Sequence, residues 1–277
     1  MHNLSTTNGG QGLTKIGGKL INIRISGPNS APPILFIHGL GGSTTTYTPL
    51  ITKLHTTHRC ISYDLEGHGL TPTKASSALS IQSYADDLLA IQTHALQSSS
   101  APAIVVAHSM GCLVAATHAL AHPDRTSKLV LLGPPPSPLP AAASEASVQR
   151  AAAVRAGGMS AVAEAVATAG TSEETKRGNP LAHAAVLQSL LAQDPEGYAK
   201  GCGALAGSKE GRGIEWGKVR VPTLVVTGGE DRVATPEGVE GIVGGMEDAR
   251  KVVLEGVGHW HVFEDVEGVG RAVEGFL

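Results

Sequence analysis

The chain has 277 residues, a hydrophobic fraction of 42% and a formal net charge of -3, so it is long enough for one large α/β domain with an insertion, or for two small domains. It carries no long basic run, so we expect no nucleic-acid partner. Its 35 glycines and 16 prolines follow no repeat period, which argues against collagen-like and solenoid structures.

The cysteines and the start of the chain bear on the compartment. Three cysteines, far apart in sequence, are too few for a disulfide framework or a zinc site. The first ten residues show neither the basic nor the apolar region of a signal peptide, and no apolar run reaches the length of a membrane helix. We therefore expect a soluble cytoplasmic protein with no membrane partner.

The first half of the chain alternates between strand and helix patterns. Residues 1–18 are polar and glycine-rich and predict a loose start, whereas the alternation over 19–26 predicts a half-buried strand at or near a sheet edge. Further strands are predicted over 34–37, 60–63, 103–107 and 128–132, with helices over 44–54, 80–97 and 112–120. This order predicts crossover connections and a mostly parallel sheet.

The composition changes at Gly133. The proline-rich stretch 133–140 excludes helix and central strand. Beyond it the patterns predict helices over 145–155, 159–169, 181–192 and 195–205, strands over 221–227 and 251–254, a helix ending near 243 and a closing helix over 264–277. We predict an α/β core in two parts, 1–133 and 218–277, with a helical cap inserted over 134–217. An insertion there lies above the sheet edge at which α/β proteins bind ligands.

The segment around Ser109 has the layout of a nucleophile elbow. A strand runs into a helix through a turn with Ser109 at its tip, and the small residues Ala107 and Gly111 leave room for the tight backbone. The helix dipole favours a negative charge that develops at this turn. The motif is Gly-x-Ser-x-Gly with its first glycine replaced by alanine, and a serine that only caps the helix is the alternative.

A glycine-rich loop over 38–43 follows the buried strand 34–37. Glycines allow backbone N–H groups to approach a ligand closely, and hydrolases of this pattern use such a loop for half of an oxyanion hole. The second donor is the N–H of the residue after the nucleophile, so position assigns Leu40 and Met110 as the pair. His38 is expected to hold the loop, and an ordinary glycine-rich turn is the alternative.

Three side chains of complementary chemistry each follow a predicted strand: Ser109, Asp231 and His259. A serine hydroxyl needs a base to become a good nucleophile, histidine can take and return that proton near neutral pH, and a carboxylate orients the imidazole. Their chain order is that of α/β-hydrolases. Glu230 beside Asp231 and His261 beside His259 are the alternatives for the acid and the base, and His261 can also line a pocket.

Five short motifs follow one another along the chain, each next to a predicted strand. They are H-G-L-G-G at 38–42, D-L-E-G-H-G at 64–69, A-H-S-M-G at 107–111, G-G-E-D-R-V-A-T-P at 228–236 and G-V-G-H at 256–259. On these motifs the chain resembles the α/β-hydrolase fold superfamily over about residues 19–277. The cap stretches at 154–163 and 194–205 also look similar to those of 3-oxoadipate enol-lactonases.

The resemblance implies an α/β fold in which a mostly parallel sheet is flanked by helices and carries a helical cap. It also implies a serine hydrolase of a carboxylic ester or lactone that uses a Ser-His-Asp triad and an acyl-enzyme, without a cofactor or a metal. Dehalogenases and epoxide hydrolases of this fold carry a carboxylate where this chain has Ser109, so acyl chemistry is favoured. The expected partner is a small-molecule ester or lactone, bound by a monomer or a homodimer.

Other functions and side chains stay open at this point. Strigolactone and karrikin receptors are similar hydrolases with slow turnover, and carbon–carbon bond hydrolases and cofactor-free haloperoxidases share the fold. Tyr47, Trp216 and Trp260 are candidates for the substrate cleft, with a core position as the alternative for each.

Overall fold

An eight-stranded sheet forms the centre of the computed structural model, which describes residues 11–97, 101–211 and 213–277. The strands are β1 Gln11–Ile16, β2 Lys19–Ser26, β3 Pro33–Ile37, β4 Arg59–Tyr63, β5 Ala103–His108, β6 Thr126–Leu132, β7 Thr223–Gly228 and β8 Ala249–Leu254. The helices are α1 Thr48–Leu54, α2 Ile81–Ala95, α3 Met110–Ala121, α4 Ala141–Gly157, α5 Ala163–Gly170, α6 Glu173–Gly178, α7 Pro180–Leu191, α8 Pro195–Gly207, α9 Pro236–Gly244, α10 His261–Glu264 and α11 Val266–Glu274.

The strand order in the sheet is β1-β2-β4-β3-β5-β6-β7-β8. Strands β3 to β8 pair in parallel, and β2 is antiparallel to both of its neighbours. The sequence prediction of a mostly parallel α/β sheet is therefore confirmed. Because these strands run in the same direction, the carboxyl ends of β3, β5, β6, β7 and β8 all lie at one edge of the sheet.

The edge of the sheet next to β2 differs from the prediction. Residues 11–16, expected to be loose, form β1 and pair with β2 from Gln11 opposite Arg24 to Ile16 opposite Lys19. The segment contains glycine, threonine and lysine and has no clear alternation, so the pairing with β2 determines the strand rather than its own pattern. The rest of the expected loose start, residues 1–10, lies outside the described residues.

Helices cover both faces of the sheet. In β3, Ile34 and Phe36 pack with the helices α1 and α11 on one face, while Leu35 and Ile37 pack with α2, α3 and α9 on the other. These four side chains are fully buried, as expected for a parallel strand that is covered on both sides. The core thus lies in two apolar layers, with the sheet between them.

The segment between β6 and β7 contains the helices α4 to α8, of which α4, α5, α7 and α8 share an apolar cluster around Val154, Leu190 and Tyr198. Sequence patterns predicted four helices here. The fifth, α6, has the sequence E-E-T-K-R-G, which has no apolar stripe, and it begins at the cap formed by Ser172. The cap boundaries at 134 and 217 stay a prediction.

The closing helix predicted over 264–277 is shorter in the structure, where α11 runs over Val266–Glu274 and the one-turn helix α10, His261–Glu264, precedes it. Asp265 lies between the two helices, and its side chain accepts a hydrogen bond from the N–H of Gly268 and caps the start of α11. In the three described ranges, no helix combines the length with the hydropathy of a membrane-spanning segment.

Candidate active site

Ser109 sits in a strained turn between β5 and α3. Its backbone has φ 52° and ψ −123°, a conformation that costs a residue with a side chain about 1–3 kcal/mol. The turn is held from both sides, because the N–H of Ser109 donates to the carbonyl of Leu132 at 2.9 Å and its carbonyl accepts from Cys112 at 2.8 Å. This turn places the hydroxyl beyond the carboxyl end of β5.

Two glycines allow the loop after β3 to pack against this turn. A Cβ atom on Gly111 would lie 2.7 Å from the carbonyl oxygens of Ile37 and His38, and one on Gly39 would lie 2.8 Å from the Cβ of Ser109. No side chain fits at either distance. The small residue at 111, part of the pattern that predicted a nucleophile elbow, is therefore required by the close contact between the end of β3 with its following loop and the turn at Ser109.

Ser109, His259 and Asp231 form one line of hydrogen bonds. The Oγ of Ser109 lies 2.8 Å from Nε2 of His259, and Nδ1 of that ring lies 2.9 Å from Oδ2 of Asp231. The other carboxylate oxygen, Oδ1, accepts from the backbone N–H groups of Val233 at 2.7 Å and Ala234 at 2.9 Å. The carboxylate is therefore fixed by the backbone of its own loop.

Asp231 is ionised in this setting. Burial by itself raises the pKa of the carboxyl group, but the imidazoles of His259 and His261 outweigh it and hold that pKa well below its usual range. Because an ionised carboxylate only accepts hydrogen bonds, Nδ1 of His259 must carry the proton. Nε2 is then the acceptor that faces the hydroxyl of Ser109.

The structure also places the alternative acid and base. The Glu230 side chain is exposed and accepts the backbone N–H of Glu173 at 3.1 Å. The His261 ring is fully buried, with Nε2 at 3.4 Å from Oδ2 of Asp231. Of these side chains, His259 is the one that contacts Ser109.

The loop after β3 carries the first expected oxyanion donor. The Nδ1 of His38 donates to the carbonyl of Gly39 at 2.8 Å, and its Nε2 accepts from the N–H of Leu65 at 2.9 Å. Burial lowers the pKa of this imidazole, so the neutral ring that both bonds require is favoured. The backbone N–H groups of Leu40 and Met110 have no hydrogen-bond partner among the residues described.

The three aromatic candidates have different positions. Tyr47 is buried in the core and its hydroxyl donates to the carbonyl of Ile37 at 2.9 Å. Trp216 lies on the short turn before β7 and packs against the core cluster on the α2, α3 and α9 face. Tyr47 thus occupies a core position, whereas Trp216 is half-buried against the core. Trp260 is next to His259, with its ring 5.5 Å from that of His108.

The sequence prediction missed His108 as part of this site. Its Nε2 donates to the carbonyl of His259 at 2.7 Å, and its ring packs 5.0 Å from the ring of His259. Burial, together with the imidazoles of His259 and His261, lowers the pKa of His108 well below its usual value. A neutral imidazole in the motif A-H-S-M-G thus supports the backbone of the loop that carries His259.

Glu264 was missed as well. Its carboxylate accepts the backbone N–H groups of Gly258 at 3.0 Å and Trp260 at 2.9 Å, which lie on either side of His259. It also accepts the N–H of Ser172 at 2.9 Å and the hydroxyl of Thr175 at 2.8 Å. One carboxylate therefore joins the His259 loop to the start of α6. A Glu five residues after His259 is the sequence signal, but its partners at 172 and 175 are not local.

The imidazole rings of His108, His259 and His261 lie near one another but do not form a metal centre. Across residues 11–97, 101–211 and 213–277, no three His, Cys, Asp or Glu side chains are arranged to hold a metal ion. The nitrogens of His108 and His259 that face protein groups contact a carbonyl, a hydroxyl or a carboxylate. The arrangement is suited to proton transfer and nucleophilic attack.

Comparison with known proteins gives a consistent family. The model of the alpha/beta hydrolase family matches residues 34–272. The chain is 28% identical over 223 residues to 3-oxoadipate enol-lactonase 1 of Acinetobacter baylyi, and the match covers 80% of each protein.

Solved structures agree in fold. The enol-lactonase from Burkholderia xenovorans LB400 is 26% identical, with a TM-score of 0.85 over 95% of this chain and 98% of its own. A thermophilic esterase from Thermogutta terrifontis has a TM-score of 0.86 at 24% identity, over 97% of both chains. The second likeness concerns the fold alone.

Proposed function

The chain belongs to the alpha/beta hydrolase family, and we propose that it is a serine hydrolase that cleaves a carboxylic ester or a lactone. The observation that carries the proposal is the line of hydrogen bonds from Ser109 Oγ through His259 to Asp231, with steps of 2.8 and 2.9 Å. In such a line the imidazole can take the hydroxyl proton while the carboxylate stabilises the resulting positive charge.

In the first half of the proposed reaction, Ser109 Oγ attacks the substrate carbonyl carbon as Nε2 of His259 takes its proton. The carbonyl oxygen becomes an oxyanion, which the backbone N–H groups of Leu40 and Met110 would stabilise. As the tetrahedral intermediate collapses, the bond to the alkoxide breaks and His259 returns the proton to that oxygen. The acyl group is then bound to Ser109 as an ester.

In the second half, water attacks the same carbonyl carbon and gives a proton to His259. Collapse of this second intermediate breaks the bond to Ser109 Oγ, which takes the proton back, and the acid is released. With an ester the alcohol leaves after the first half. With a lactone it stays attached to the acyl group, so a single hydroxy acid is released. Asp231 stays ionised throughout.

The lactone alternative is supported by two relatives that cover most of this chain, 3-oxoadipate enol-lactonase 1 and the enol-lactonase from Burkholderia xenovorans LB400. The ester alternative rests on the same acyl chemistry, because a lactone is a cyclic ester. The proposal includes the helical cap over 134–217, which would close over a small-molecule substrate, and it includes no cofactor. A panel of p-nitrophenyl esters of increasing acyl length, followed by five- and six-membered lactones, would place the substrate within this class.

The test follows p-nitrophenyl acetate hydrolysis by the wild type and by Ser109→Ala, from the first seconds through many turnovers. We expect steady turnover in the wild type and a loss of at least about a thousandfold in the variant. Ser160→Ala is the matched control, because Ser160 is exposed and, among the described residues, its hydroxyl donates to the carbonyl of Gly157.

The other outcomes are equally informative. Equal rates for the wild type and Ser109→Ala would contradict the role of Ser109 as nucleophile and would refute the mechanism. A single burst that stalls in the wild type would favour a slow-turnover receptor over an enzyme.

A further inference from the structure

We propose that His261 is a positioning residue for the triad: its buried ring places Nε2 at 3.4 Å from the Asp231 oxygen that binds His259, and this contact orients the carboxylate electrostatically and weakens its attraction for His259. The inference rests on the proposed function. It follows from four observations on the contacts, the proton positions, the packing and the charged neighbours of the ring.

The first observation is the number of contacts on the Asp231 carboxylate. Oδ1 accepts two backbone N–H groups, from Val233 and Ala234. Oδ2 faces two imidazoles, with Nδ1 of His259 at 2.9 Å and Nε2 of His261 at 3.4 Å. The triad line needs only the first of these imidazoles. The second lies at ion-pair distance but is not aligned as a hydrogen bond, and neither ring nitrogen of His261 has a hydrogen-bond partner among the described residues. It therefore acts on Oδ2 through its charge distribution.

The second observation is where the protons must lie. Asp231 is ionised, and an ionised carboxylate has no proton to donate. An imidazole nitrogen without a proton carries partial negative charge, which would lie 3.4 Å from a negative oxygen inside the protein, and this is unfavourable. Nε2 of His261 therefore carries a proton whether the ring is neutral or charged. In both forms the positive charge on this N–H group partly offsets the negative charge of Oδ2 and so weakens the attraction between Oδ2 and His259.

The third observation is the packing around the two rings. Gly133 follows β6 with φ 61°, and a Cβ atom there would lie 2.6 Å from Cε1 of His261, 3.1 Å from Oδ2 of Asp231 and 3.2 Å from Cε1 of His259. One backbone carbon thus borders all three groups. The rings and the carboxylate are held in place by the main chain, and His261 is wholly buried.

The fourth observation concerns the other titratable groups around His261. The His108 ring packs edge-on at 5.7 Å and the His259 ring at 5.9 Å. The Cys112 thiol interacts electrostatically with Asp231, and burial raises its pKa well above the usual value. The remaining titratable residues are on the elements packed against α10 or in α10 itself: His183, Tyr47, Glu264, Glu267, Arg271 and Glu274. Asp231 is the carboxylate that lies within ion-pair distance of the His261 ring.

His259 and His261 therefore share one oxygen of the Asp231 carboxylate. If the donor at 261 is removed, the full charge of Oδ2 acts on His259, so its protonated form is stabilised more strongly. His259 must be neutral to act as the base, so the acid limb of kcat/KM should move to higher pH. The carboxylate would also be less well oriented, which should lower the plateau.

The experiment compares His261→Met, which removes the donor at similar volume, with His261→Gln, which keeps an N–H at similar reach. In the kcat/KM profile for p-nitrophenyl acetate, we expect His261→Met to shift the acid limb upward by about 0.5 pH unit and to lower the plateau about threefold. We expect His261→Gln to keep the acid limb of the wild type. An NMR titration of the ¹⁵N-labelled imidazole of His259 measures the same shift without turnover.

His118→Met is the matched control. His118 is also fully buried, but its Nε2 faces Gln92 at 3.1 Å on the other side of α3, so its loss should leave the acid limb unchanged. An unshifted His259 titration in a folded His261→Met protein would overturn the inference. Equal shifts in the Met and Gln variants would also overturn it, because they would indicate packing alone. If Ser109→Ala keeps full activity, the proposed function fails instead.

Discussion

At the scale of single residues, the site depends on the positions of two glycines next to Ser109. Ser109 adopts a strained backbone because Gly111 and Gly39 let the loop after β3 pack within contact distance of the turn. The strain is maintained by two hydrogen bonds of the Ser109 backbone. Small residues near Ser109 are therefore a steric requirement of the geometry that exposes its hydroxyl.

A pair of glycine substitutions tests this requirement. Gly111→Ala places a methyl group 2.7 Å from two carbonyl oxygens, and we expect it to lower the free energy of unfolding by about 1–3 kcal/mol and to reduce esterase activity. Gly203→Ala is the control, because Gly203 lies inside α8 and, apart from its own stretch of helix backbone, no described atom lies within 4 Å of its Cβ position. It should stabilise the protein by about 0.5–1 kcal/mol. Urea unfolding measures both; equal effects would contradict the steric argument.

At the scale of elements, the helices between β6 and β7 are tied to the loop that carries His259. The N–H of His259 donates to the carbonyl of Gly170 at the end of α5, at 2.7 Å. Glu264 accepts four hydrogen bonds, two from the His259 loop and two from the start of α6. The position of His259 therefore depends on α5 and α6 as well as on β8.

Glu264→Gln tests this connection. An amide has one acceptor oxygen and donates at its other end, so it cannot accept all four hydrogen bonds. We expect a loss of about 2–3 kcal/mol in unfolding free energy, faster hydrogen exchange at Gly258 and Trp260, and lower kcat/KM. Glu267→Gln is the control, since that side chain is exposed and pairs with Lys53, and it should leave all three unchanged. Unaltered exchange at Gly258 and Trp260 in Glu264→Gln would show that the tie is unimportant.

At the scale of the whole molecule, the two apolar layers and the packing around the site bury several imidazoles. Burial lowers the pKa of His68 to about 3 and of His118 to about 4, and it also lowers the pKa values of His38 and His108. In the unfolded chain a histidine titrates near its ordinary value of about 6.5. The unfolded state therefore binds more protons than the folded one below that pH.

The expected result is a fold that loses stability on acidification. Between about pH 6.5 and pH 4, each neutral buried histidine should lower the unfolding free energy by up to about 1.4 kcal/mol per pH unit. The lowered pKa of Asp231 adds a loss in a separate window, because that contribution is present above the ordinary carboxyl value and is lost only below about pH 4. Urea unfolding at pH 7, 6 and 5 measures the slope. His118→Gln should reduce it by about one proton, and a flat profile would contradict the burial argument.

Much of the fold could be read from local patterns. Lys19–Ser26 was predicted with the bounds that the structure shows, and α2 lies within the helix predicted over 80–97 and begins after Ser80, whose side chain caps it. Strand alternation and helix caps depend on neighbours within a few residues, so a single sequence contains them. The alternation of strands and helices predicted crossover connections and a mostly parallel sheet, and the structure confirms that sheet.

Other features needed the folded chain. β1 is a strand because β2 is beside it, and α6 forms without an apolar stripe of its own. The contacts of Glu264 with Ser172 and of His261 with Asp231 join residues that are far apart in sequence.

By itself, the sequence determined the order of elements, the α/β class and the spacing of small residues around Ser109, because each depends on near neighbours or on chain order. Tertiary structure decided which imidazole faces the serine, which carboxylate serves it and what holds both in place. The physical reason is that hydrogen bonds and steric contacts act through distances of a few ångströms, whatever the separation along the chain. His259 and His261 are two residues apart, so the sequence distinguishes them only weakly. Their packing against Asp231 and Gly133 gives the two rings different positions.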